Sequence, residues 1–289
     1  MESSGRWVVW FSESTGVQQT VINELRQRLS GSVHVEFRSL QPTQITSVGD
    51  GLAGQVVLGT RTLREWVALK PSMPAPLLNT PVMSALVPRA AETPLAAELP
   101  VGSSAIWLDQ PPERFTALIA AAFPRRNRVG VLLGPAHGAW LPGLEAAARA
   151  DALSLVLSPV LSDARSLFPA LTAVLSESDL LLAQPDGLLF NNDTLQNVLI
   201  ATYRQRVPMV TFSEPHVRAG ATLGVFTSPT DVAAQVAEAI AGWSAARRWP
   251  GRAFAAIGRV AVNTQVARSL GIDLPSVEAL EAALQRRQP

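Results

Sequence analysis

The sequence predicts an α/β fold made of two doubly wound, parallel-sheet lobes joined by a hinge. Three observations predict it. Short apolar runs rich in Val and Leu lack the apolar–polar alternation of a half-exposed strand, which is how strands buried on both faces read. Amphipathic stretches with a period near 3.6 lie between these runs. The runs fall into two sets of about five, as two similar sheets require.

The strand-like runs of the first set are Trp7–Phe11, Val33–Phe37, Gln55–Leu58, Pro81–Leu86 and Ala105–Leu108. Those of the second are Val129–Leu133, Leu153–Leu157, Leu180–Ala183, Pro208–Phe212 and Leu223–Phe226. Between them, Val17–Leu29 repeats apolar residues at Val17, Val21, Leu25 and Leu29. Pro112–Phe123 opens with proline in its first turn and continues Phe115, Leu118, Ile119, Ala122. The stretches Leu141–Ala150, Ala164–Leu175, Thr194–Arg206 and Thr230–Ala246 follow the same pattern. Strand and helix alternate throughout, the signature of a doubly wound sheet.

Breaks mark where the chain passes between lobes. Pro111-Pro112 makes a stiff link after Asp109. Ser228 at Thr227-Ser228-Pro229 is placed to cap a helix, and Trp249-Pro250-Gly251-Arg252 forms a turn. The expected division is 1–108 with 228–254 as lobe 1, and 109–227 with 255–289 as lobe 2.

Composition excludes several functions. Of 289 residues, 47% are hydrophobic and 16% charged, too apolar for a disordered chain. Lys plus Arg number 24 against 23 Asp plus Glu, a net +1 that gives no electrostatic footprint for nucleic acid. The basic clusters Arg125-Arg126-Asn127-Arg128, Arg247-Arg248 and Arg286-Arg287 sit beside helix ends, where arginine meets the negative end of the dipole. With no cysteine, thiolate chemistry and cysteine metal sites are excluded. No apolar run reaches the roughly 20 residues that span a bilayer. Met1–Arg6 does not read as a signal peptide. The chain is therefore either cytoplasmic or has a leader replaced by an initiating Met.

The sequence has no phosphate-binding glycine loop, no dinucleotide fingerprint and no serine nucleophile elbow. His34, His137 and His216 are far apart and lack metal-ligand spacing, so neither a metal nor a cofactor is expected. Open α/β sheets bind ligands beyond the carboxyl ends of their strands. The candidate ligand-binding residues lie mainly in those turns: Ser12, Glu13 and Ser14 after the first strand, Thr60 and Arg61 after the third, and Ser84 within the fourth. In the second half they are His137, Asp186, Asn192, Ser213 and Glu214. At each turn, ordinary helix capping competes with ligand contact. Asp186 is the strongest candidate, because Gln184-Pro185 places it just beyond the strand Leu180–Ala183. Leu188, Leu189 and Phe190 form an apolar loop segment that needs a partner, either lobe packing or a ligand. Asn192 or Asp193 is placed to cap the helix that follows.

The second half of the sequence resembles a known family. The matching stretches are Leu108-Asp109-Gln110-Pro111, Pro185-Asp186 with Asn191-Asn192-Asp193-Thr194, and Pro208–Ser213 with Val217–Ala221. Val260–Gly271 followed by Ile272-Asp273-Leu274-Pro275 completes them. Their order and spacing resemble ABC-transporter substrate-binding proteins of the tryptophan/tyrosine-uptake type, which have a type I periplasmic-binding-protein-like fold. The first hundred residues match only in strand–helix layout.

The resemblance implies a periplasmic or membrane-anchored extracytoplasmic protein, with its leader removed, that hands a small-molecule ligand to a membrane permease. It implies an aromatic amino acid or a related compound as ligand. In such relatives the turns at Asp186 and at Ser213-Glu214 face the ligand. An acidic residue typically stands where this chain has uncharged Ser213, and Arg61 is bulkier than the family pattern. Arg61 serves an anionic ligand or turns to solvent. Two alternatives accompany this reading. One is a ligand-sensing module for a membrane receptor or kinase. The other, ranked lower, is a two-lobed enzyme, for which Glu13, Asp186 and Glu214 are the acid–base candidates.

Overall fold

A computed structural model describes residues 5–12, 16–135, 137–163, 165–246 and 248–286. The chain divides into two compact units, Met1–Asp109 with Thr227–Ile257 and Gln110–Phe226 with Gly258–Pro289. Each unit holds one six-stranded sheet.

The first sheet contains β1 (Arg6–Phe11), β2 (His34–Ser39), β3 (Leu52–Leu58), β4 (Val82–Val87), β5 (Ser104–Trp107) and β11 (Ala253–Phe254). Its order is β11-β5-β4-β3-β1-β2, and every pairing is parallel. The second contains β6 (Arg128–Leu133), β7 (Ser154–Val160), β8 (Leu180–Leu182), β9 (Met209–Thr211), β10 (Leu223–Phe226) and β12 (Arg259–Val262). Its order is β12-β10-β9-β8-β6-β7, with β12 alone antiparallel. The two short strands β11 and β12 fall outside the apolar runs of the sequence. Two residues are too few to carry a period, and β12 opens on an exposed arginine.

Burial on both faces explains the unbroken apolar runs. In β1, Trp7 and Val9 enter one core of the first unit while Val8 and Trp10 enter the other. In β8, Leu180 and Leu182 face one core of the second unit, and Leu181 the other. His34, on edge strand β2, projects outward, with its ring 3.5 Å from the Glu36 carboxylate.

Helices close both faces. Trp7 packs edge-on against Trp243 and Trp249, with ring centroids 5.6 and 5.2 Å away. Gly54 leaves room for this cluster, since a Cβ there would overlap the Trp7 ring. On the opposite face, buried Gln55 accepts from the indole N–H groups of Trp10 (3.0 Å) and Trp66 (3.3 Å). It donates to the carbonyls of Leu77 (2.8 Å) and Thr80 (3.0 Å). Buried polar groups need this kind of satisfaction. The helix Pro229–Ala246 starts at Ser228, whose Oγ accepts from Asp231 N at 3.1 Å and donates to Asp231 Oδ2 at 2.5 Å. None of the described helices is long and apolar enough to cross a membrane.

Candidate functional site

In each sheet the chain steps to one side, then returns to extend the sheet on the other. That reversal lies between β1 and β3 in the first unit and between β6 and β8 in the second. At such a switch point the turns beyond the carboxyl ends splay apart and leave a crevice where ligands bind.

In the first unit the switch point is held by Glu65, on the helix Thr60–Leu69. Ser12 follows β1, and its hydroxyl donates to the Glu65 carboxylate. Its backbone N–H donates to Thr62 Oγ1 at 3.0 Å. Arg61 Nε donates to the same carboxylate at 2.8 Å. The Ser12 hydrogen bond first, then the Arg61 hydrogen bond, hold Glu65 below the usual carboxylate range. Gly59, with φ +90°, makes the turn out of β3, and the Gln18 amide occupies the space a side chain there would take. Gln18 Nε2 donates to Leu58 O at 2.9 Å.

Thr60 is half-buried at the start of its helix. Ser84 is fully buried in the middle of β4, and its Oγ has no hydrogen-bond partner among the described residues. A ligand arriving from solvent does not reach it. Glu13 and Ser14 lie outside the described residues.

In the second unit the switch point brings Gly134, after β6, against Asp186, after β8. A Cβ on residue 134 would overlap the Asp186 carboxylate. Asp186 Oδ1 accepts from the backbone N–H groups of Leu188 (2.8 Å) and Leu189 (3.3 Å), which folds the turn that follows. Its Oδ2 has no hydrogen-bond partner among the described residues. His137 Nδ1 lies 2.8 Å from Gly134 O. Gln184, just beyond β8, is buried, and its Oε1 has no partner among the described residues.

The loop from Asp186 to the helix Leu195–Arg204 is organised by residues other than those expected. Asn191 Oδ1 accepts from Asp193 N (2.9 Å) and Thr194 N (3.1 Å), and Thr194 Oγ1 donates to Leu189 O at 2.7 Å. Asn192 is exposed, and neither it nor Asp193 caps the helix. Leu189 and Phe190 are buried in the core of the unit, so packing supplies the partner this apolar segment needs.

After β9, Ser213 stands at the N-cap of the helix Glu214–Ala219 without a capping side-chain bond. Glu214 pairs with Arg218 at 2.8 Å. Thr211 Oγ1 lies 2.9 Å from His216 Nδ1, and the His216 ring sits edge-on to Phe212. Burial lowers the His216 pKa below its ordinary value, so this histidine serves as a neutral hydrogen-bonding group.

Glu65 and Gln18 escaped the sequence analysis, and Gln184 and Asn191 entered it only as members of their turns. Glu65 had a signal, its i,i+4 spacing from Arg61; Gln18 had none. These turns offer hydroxyl, carboxylate, amide and imidazole groups suited to hydrogen-bonding a small polar molecule. Among the described residues, no group of three His, Asp or Glu side chains is placed to hold a metal ion. A surface pocket lined by Val262, Arg268, Ile272 and Pro275 lies by edge strand β12, away from the switch point of its sheet.

No family profile matches the sequence, and no curated protein does. Solved structures do. A ligand-free, open structure of a substrate binding protein with adhesive properties from Clostridium difficile is 14% identical. The match covers 95% of this chain and 97% of that one, with a TM-score of 0.71. An ABC domain from Streptococcus pneumoniae in complex with L-Trp is 15% identical over 98% of each chain, with a TM-score of 0.60. A periplasmic ribose ABC transporter protein from Conexibacter woesei is 13% identical over 96% of this chain and 98% of that one, with a TM-score of 0.57. The chain has the two-unit α/β fold of these periplasmic-type binding proteins.

Proposed function

We propose that this chain is the extracytoplasmic solute-binding component of an ABC transporter, capturing a small molecule and passing it to a membrane permease. The observation that carries this reading is the repeated switch point. Each unit ends its sheet in polar turns held in place by their own hydrogen bonds, Ser12–Glu65–Arg61 in one and Gly134–Asp186–Leu188 in the other. Turns fixed before binding lose little freedom when a ligand arrives, which favours affinity. Similarity in fold to binding proteins over nearly the whole chain supports the same reading.

The proposed ligand contacts are Ser12, Glu13, Ser14, Thr60 and Arg61 in the first unit and His137, Asp186, Asn192, Ser213 and Glu214 in the second. Asp186 is the central contact. Its Oδ1 shapes the turn, which leaves Oδ2 to accept a charge-assisted hydrogen bond from a ligand N–H.

The test is native mass spectrometry of purified protein incubated with a small-molecule extract of its source cells, followed by calorimetry on whatever is retained. The reading expects one small molecule per chain, released unchanged on denaturation. A chemically altered product, or no retained compound, contradicts it.

A further inference from the structure

We infer that Arg89, laid on the Trp107–Phe254 aromatic pair, is an anion-reading subsite that selects a carboxylate-bearing ligand. This rests on the solute-binding reading and names the ligand class that reading leaves open.

Arg89 follows β4, Trp107 ends β5 and Phe254 ends β11, so all three stand at the carboxyl edge of the first sheet, the edge that binds ligands. The guanidinium lies 5.3 Å from the centroid of a Trp107 ring and 5.9 Å from that of Phe254. The two aromatic side chains meet edge-to-face at 5.2 Å. The backbone around Arg89 is anchored as well. Its N–H donates to Asp109 Oδ1 at 2.7 Å. Three residues on, buried Glu92 accepts from Arg252 Nε at 3.0 Å and Trp107 Nε1 at 3.3 Å.

What distinguishes Arg89 is how its charge is held. Two other arginines on helices that follow strands are neutralised locally, Arg61 by Glu65 and Arg218 by Glu214. Arg252 is matched by Glu92. Asp109 accepts from the Arg89 backbone N–H and its charge also attracts the Arg89 side chain, but no carboxylate lies within ion-pair distance of the guanidinium among the described residues. Aromatic faces attract a guanidinium without consuming its N–H donors. The exposed Arg89 therefore keeps its planar donor edge for an oxyanion, and that edge matches a carboxylate in a bidentate pair.

The test is calorimetry of the full chain against matched probe pairs: succinate, phenylacetate and indole-3-acetate, each beside its amide. Wild type should bind at least one carboxylate about 10–100 times more tightly than its amide, the range of a hydrogen bond to a charged group. In Arg89→Gln that preference should collapse to less than about threefold. Arg89→Lys, which keeps the charge and loses the fork, should fall between. Melting curves of both variants report whether they fold. A carboxylate preference that survives in well-folded Arg89→Gln overturns the inference. So does equal binding of acids and amides by wild type, an outcome that leaves the solute-binding reading standing. Absence of any carboxylate binding also overturns it; the solute-binding reading falls only if the extract, too, yields no ligand.

Discussion

The Asp186 carboxylate occupies the space that a Cβ on Gly134 would need, so the glycine leaves room for it between the turn after β6 and the turn after β8. Gly134→Ala should displace the carboxylate from its bonds to Leu188 N and Leu189 N. The expected cost is about 1–3 kcal/mol of stability, typical of overpacking, together with weaker ligand binding. Chemical denaturation and calorimetry on the variant check both.

Asp186 has two jobs that separate by substitution. Asparagine at 186 keeps an Oδ1 for Leu188 N and Leu189 N, so Asp186→Asn should fold normally. It loses the charge, and affinity should drop by about 1.5–3 kcal/mol. Unchanged affinity in a well-folded Asp186→Asn protein contradicts ligand contact. Asp186→Ala, which also removes the turn bond, should lower the melting temperature.

Much of the fold is legible in the sequence, because strands buried on both faces read as continuous apolar runs. Trp7–Phe11 and Leu180–Ala183 are examples. Strand β11 is not, because its pairing with β5 depends on the chain returning to the first unit. The site is less legible. At Asn191-Asn192-Asp193-Thr194 four adjacent residues have capping side chains, and only the backbone path selects Asn191 and Thr194. Ser84 falls in an apolar run whose register turns it into the sheet interior. Gln55 and Gln184 leave no trace in a pattern of apolar residues, since a buried amide is recognised by what surrounds it.

Gln55 supports a prediction about the core of the first unit. Gln55→Leu would strand the indole N–H groups of Trp10 and Trp66 and the Thr80 carbonyl, while Leu77 O keeps the Thr80 N–H at 3.4 Å. A buried group left without a partner costs about 1–3 kcal/mol, so the variant should lose roughly 2–5 kcal/mol in urea denaturation. A loss below about 1 kcal/mol would mean the network does not bear on stability.

His216 predicts a pH effect. Burial lowers its pKa in the folded chain, so on acidification the unfolded chain takes up its proton first, near pH 6.5. The stability this group contributes is complete above that value and falls as pH drops through it toward the folded pKa. The stability difference between wild type and His216→Asn should therefore shrink from pH 7.5 to pH 5.5. A difference independent of pH contradicts a neutral buried imidazole.

The proposed capture of a small molecule has a conformational consequence, since two-domain binding proteins close on ligand about a few connecting residues. Small-angle scattering on the full chain, with and without the compound recovered from the extract, tests it most directly. The radius of gyration should be smaller at saturation. An unchanged radius at saturation confirmed by calorimetry would contradict it.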